Sequence, residues 1–105
     1  MTDLFLTNIS LGFILMVVFL IMKAFPPKNP NSFYGYRTKG SMKTRSSWKL
    51  ANEYFSGGGI ILGSVSVIIG LLTTFTVAKY STPITVGSTI ILLIGLYFKT
   101  EQILD

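Results

Sequence analysis

Residues 57–78 read GGGIILGSVSVIIGLLTTFTVA, 22 positions without a charge. At 1.5 Å per residue such a run makes about 33 Å of helix, enough to cross a hydrocarbon core of about 30 Å. Its small residues Gly59, Gly63, Ser66 and Gly70 fall at spacings of 4, 3 and 4, which keeps them on one helical face. Between lipid-exposed helices there is little hydrophobic drive, so a face of small residues marks a seam where backbones approach closely. This stretch therefore predicts a membrane-spanning helix with a packing stripe.

Two further runs flank it. Residues 4–22 form 19 uncharged positions, and residues 81–98 form 18, starting with Ser-Thr-Pro, a helix-start signal. The chain has 105 residues, half of them hydrophobic, and a mean hydropathy of +0.60. A water-soluble chain of this size has too little other surface to cover three uncharged helices. The expected fold class is an all-α integral membrane protein with three transmembrane helices, 4–22, 57–78 and 81–98, in one membrane domain, 1–105. The start, Met-Thr-Asp, lacks the basic region of a signal peptide, so the first span is expected to remain in the mature protein. The turn between the second and third spans is four or five residues long, which makes them antiparallel neighbours. Gly87, Ser88 and Gly95 of the third span are the expected reply to the glycine face of the second. Asn8 in the first span reads as an interhelical hydrogen bond.

Between the first two spans lies a basic loop, 23–55, carrying Lys23, Lys28, Arg37, Lys39, Lys43, Arg45 and Lys49, seven of the nine basic residues. The short turn near Lys79 carries one. This excess predicts a cytoplasmic loop, an outward N-terminus and a cytoplasmic C-terminus. Within the loop, Pro26-Pro27 stops the first helix and Asn29-Pro30-Asn31-Ser32 reads as a turn. Phe33, Tyr34 and Tyr36 are rings suited to the headgroup level. Ser41, Arg45, Trp48, Asn52 and Phe55 share a helical face, so 41–55 is expected to be an amphipathic interfacial helix, bending at Gly57-Gly58-Gly59 into the second span.

The net charge of +5 selects anionic lipid headgroups as first partner and makes nucleic acid a poor one for an integral protein. With no Cys and no His, thiolate chemistry, imidazole bases and the usual zinc sites are excluded. The four carboxylates, Asp3, Glu53, Glu101 and Asp105, form no evident pair. No catalytic residue, metal ligand or cofactor is expected, and the chain does not read as an enzyme. Arg37 sits between Gly35 and Thr38-Lys39-Gly40, a set of donors able to hold an anion. A structural ion pair of Arg37 or Arg45 with Glu53 is the other reading.

Taken together, Pro30-Asn31, Gly35-Tyr36-Arg37-Thr38, Ser41, Trp48 and Ala51-Asn52, set before a glycine-rich span, strongly resemble the SdpI family. That family is named for a bacterial membrane immunity protein against a secreted toxin, a longer type with additional spans before the motif region. The resemblance covers about 70 residues. It maps the family motif onto Asn31, Gly35, Arg37, Thr38, Trp48 and Asn52, as contacts for a partner or an anion. It implies a multi-pass protein of the bacterial plasma membrane, without catalytic activity, that confers toxin immunity or acts as a membrane accessory. The partner would be a membrane protein, a peptide toxin or a second copy. The alternative reading is a structural subunit of a larger membrane complex, held through the glycine face of the second span.

Overall fold

The computed structural model describes residues 2–27 and 35–104. Three helices, α1 (Thr2–Ala24), α2 (Arg45–Thr76) and α3 (Ser81–Gln102), make up most of it, with a short 3₁₀ turn, Ala78–Tyr80, between α2 and α3. All three spans are long and apolar enough to cross a membrane. Asp3 in its first turn and Lys23 in its last complement the dipole of α1, and Pro26 follows its end. Helix α2 is capped by Thr44, whose hydroxyl accepts from Ser47 N at 3.0 Å. Pro83 falls in the first turn of α3, where a missing N–H is tolerated.

The expected bend at Gly57-Gly58-Gly59 does not occur. Helix α2 runs unbroken for 32 residues, about 48 Å, which equals the longest dimension of the molecule. The helix begins at Arg45, and residues 39–44 are turns. Residues 45–55 thus continue straight into the second span, and no separate interfacial helix stands among the described residues. The reason lies in what the glycines touch. A Cβ on Gly59 would enter the Phe19 ring, and one on Gly58 would strike Leu96. These glycines permit close approach and leave the helix straight.

The glycine face of α2 packs on α1. A Cβ on Gly12 would lie 2.6 Å from Gly63 O, and one on Gly63 would lie 2.9 Å from Gly12 O. Gly70 abuts the backbone of Asn8. The expected reply from α3 is therefore corrected: Gly87 and Gly95 meet nothing within 4 Å. Helix α3 instead joins α2 through hydroxyls. Ser66 and Thr89 are 2.6 Å apart, Thr73 and Thr85 3.2 Å.

Asn8 ties all three helices at the end away from the loop. Its Nδ2 donates to Thr74 Oγ1 at 2.7 Å and Ser81 Oγ at 2.8 Å, and its Oδ1 accepts from Thr82 Oγ1 at 2.6 Å. The polarity of the bundle is inverted relative to a water-soluble one. Asn8, Ser66, Thr74, Thr85 and Thr89 are buried, whereas Phe13, Ile61, Leu72 and Ile91 are exposed. Such a surface suits hydrocarbon, and each internal hydrogen bond is worth about 0.6–2 kcal/mol there.

These contacts predict opposite outcomes for glycines of similar helical setting. Gly63→Leu should destabilise the bundle by about 3 kcal/mol, because the obstruction is backbone and cannot move aside. Gly87→Leu should change stability by less than about 0.5 kcal/mol. Unfolding in mixed micelles, followed by circular dichroism, measures both.

Candidate functional site

Past the level where α1 ends, residues 35–44 fold against the first turns of α2, beside the end of α3. Gly35 makes the entry possible. Its φ of +103° is closed to ordinary side chains. A Cβ there would also lie 2.6 Å from Asn52 Oδ1, 2.7 Å from Pro27 Cγ and 3.3 Å from Trp48 Cζ2. Both backbone angle and space demand glycine.

Asn52 then treats the next residue as a neighbouring strand would. Its Oδ1 accepts from Tyr36 N at 2.6 Å, and its Nδ2 donates to Tyr36 O at 3.4 Å and to Trp48 O at 2.9 Å. Trp48 is fully buried and donates from Nε1 to Pro27 O at 2.7 Å. One turn of α2 thus grips the chain on both sides of the loop. A reciprocal pair closes the next step: Thr38 N donates to Ser41 Oγ at 2.8 Å, and Ser41 N to Thr38 Oγ1 at 3.1 Å. The Ser41 hydroxyl in turn faces Tyr36 O at 3.1 Å.

Tyr36, expected at the headgroup level, is buried instead. Its ring lies 4.6 Å from Phe55 and 6.2 Å from Tyr97, and Phe55 stacks edge-on to Phe19. This aromatic column joins the loop to all three helices. The Tyr36 hydroxyl donates to Tyr97 O at 3.4 Å. Burial first, and then the nearby Glu101 carboxylate, holds its pKa well above the ordinary 10.0. The end of α3 also covers the loop, since a Cβ on Gly40 would lie 3.0 Å from Glu101 Oε2 and 3.3 Å from Leu104 Cδ1.

Of the motif residues, Gly35, Thr38, Trp48 and Asn52 meet in this latch, while Asn31 lies outside the described residues, as do Phe33 and Tyr34. Arg37, Lys39, Met42 and Lys43 are exposed. The anion cradle expected around Arg37 loses the Thr38 N–H, which is committed to Ser41. Gly59, Gly63, Ser66 and Gly70 lie along the seams of the bundle below. Sequence reasoning missed Gly12 and the central place of Tyr36. It also missed the hydroxyl row Ser81, Thr85, Thr89, although its spacing of four residues was a readable signal.

A three-helix bundle with an inverted interior and a side-chain-pinned loop defines a small multi-pass membrane protein. The model of the SdpI/YfhL protein family matches residues 28–100, and the chain belongs to that family. Over 67 residues it is 39% identical to the uncharacterized protein YfhL of Bacillus subtilis (strain 168), which covers 64% of this chain and 61% of that relative. The chain thus spans less than two thirds of the length of the curated relative it matches. No solved structure matches it.

Two outcomes follow from the latch. Trp48→Phe leaves Pro27 O without its donor and should cost about 1–2 kcal/mol, read as faster tryptic cleavage at Arg37, Lys39 and Lys43 in proteoliposomes. Unchanged cleavage would mean that the indole bond does not hold the loop. Alkali should act through Tyr36. The unfolded chain ionises near pH 10.0 while the folded one keeps its proton, so stability falls as pH rises above that value. Tyr36→Phe should remove that part of the alkaline loss, measured by unfolding across the same pH range.

Proposed function

We propose that this protein acts in the bacterial plasma membrane as a non-catalytic binding protein of the SdpI type. In this reading it confers immunity to a peptide toxin, or serves as a membrane accessory, by engaging a partner through its loop. The loop and C-terminus face the cytoplasm and the N-terminus faces outward, in line with the excess of Lys and Arg in the loop.

One observation carries the proposal. Thr38, Ser41 and Asn52 use their polar groups on the loop's own backbone and Trp48 uses its indole N–H on Pro27, and Arg37, Lys39, Met42 and Lys43 are exposed on the loop held in this way. A preordered loop avoids most of the entropy cost of binding, which favours recognition. The family membership supports the same reading. A structural subunit held through the glycine face of α2 is less well supported, because α1 already covers that face.

The test combines deletion and substitution. Deleting the protein should sensitise the cell to its toxin or remove a partner from affinity captures of gently solubilised membranes. Arg37→Ala should lose the same activity at an unchanged membrane level and with unchanged rates of tryptic cleavage at the remaining sites, Lys39 and Lys43. Deletion without either effect would sink the proposal. A drop in membrane level with Arg37→Ala would assign that residue to loop shape and away from recognition.

A further inference from the structure

Helix α1 ends at Ala24, but the face of α2 that packs on it continues for three more turns, through Ser56, Asn52, Lys49 and Arg45. The spacing is that of one helical stripe; beyond α1 its Ser56 and Asn52 are buried, and its Lys49 and Arg45 are exposed. Pro26 and Pro27 turn the chain across the gap. Two adjoining hollows result, one of about 230 Å³ lined by Pro26, Pro27, Arg45, Lys49, Asn52 and Glu53, the other of about 320 Å³ lined by Lys23, Pro26, Glu53 and Ser56.

The chemistry of this notch is uneven in a useful way. Lys23, Arg45 and Lys49 bring three positive charges and Glu53 one negative, a net of +2. Arg45 and Lys49 sit one turn apart on α2, a separation that lets both reach one phosphate. The Asn52 amide is engaged with Tyr36 and Trp48, so Glu53 supplies the acceptor. The notch also lies at a defined depth. Lys23 and Glu53 bound the uncharged lengths of α1 and α2 at the loop end, which is where lipid headgroups stand. Phe25, two residues after Lys23 and 73% exposed, offers apolar surface at that level.

We propose that the notch is a binding site for the phosphodiester of an anionic phospholipid whose headgroup carries hydroxyls. Arg45 and Lys49 hold the phosphate, Lys23 adds field from below, and Glu53 accepts from a headgroup hydroxyl. The carboxylate selects for a hydroxylated diester and against a more highly charged anion. This is a site of fixed composition, distinct from the diffuse attraction that every lysine in the loop exerts on an anionic surface. It stands whatever partner the outer face of the loop engages.

The test uses the full chain in detergent, exchanged against vesicles of phosphatidylcholine with phosphatidylglycerol, with retained lipid counted by native mass spectrometry. The protein should keep one phosphatidylglycerol in preference to phosphatidylcholine. Arg45→Gln with Lys49→Gln should weaken retention about twenty-five-fold, taking about fivefold for each surface cation. Lys39→Gln with Lys43→Gln removes the same charge outside the notch and should leave retention within about twofold. An unchanged rate of tryptic cleavage at Arg37, a site that both pairs retain, establishes that the loop still folds. Equal loss in the two pairs, or no preference over phosphatidylcholine, would overturn the site. Displacement of the lipid by an equal concentration of inorganic phosphate would assign the notch to free phosphate and overturn the lipid assignment.

Discussion

The bundle depends on α2 remaining one straight helix through three consecutive glycines. Each glycine in a helix interior costs about 1 kcal/mol relative to alanine, and three together invite a break. The break is avoided because neighbours fill the space that the missing side chains leave at two of the three, Gly58 and Gly59. Phe19 seats on Gly59 and Leu96 on Gly58. That close packing holds the helix straight, and straightness lets a single element serve two purposes. Its lower part forms the core of the membrane bundle, and its upper turns carry Trp48 and Asn52 beyond the end of α1.

Association within the bundle uses two different devices on two sides of α2. Towards α1 the contact is backbone against backbone, at Gly12 and Gly63 and at Asn8 and Gly70. Towards α3 it is hydroxyl against hydroxyl, at Ser66–Thr89 and Thr73–Thr85. Both answer the same constraint. Lipid tails are as apolar as leucine, so burying leucine gains little, and dispersion at short range together with hydrogen bonding must hold the helices. Asn8 combines the two, with its backbone under Gly70 and its amide shared between α2 and α3.

The loop shows why a motif can be readable while its use is not. Gly35, Trp48 and Asn52 stand far enough apart in sequence that their spacing suggests only a helical face and a glycine turn. Folded, they meet within one contact, with the glycine under the amide and the indole. Tyr36 was readable as an amphipathic ring, yet burial between Phe55 and Tyr97 depends on the end of α3 arriving from 61 residues away. The charged notch was unreadable for the same reason. It exists because α1 is shorter than α2, and neither helix alone contains that difference.

By itself the sequence determined the number of spans, the family and the small-residue face of α2, since length, charge and helical spacing are local properties that need no partner. Tertiary structure alone decided which helix meets that face, that α2 passes through its glycines without bending, and that Trp48 and Asn52 turn inward onto Gly35. Those outcomes are settled by shape. A Cβ absent at Gly59 permits either a kink or a close contact, and only the presence of Phe19 opposite it selects the contact.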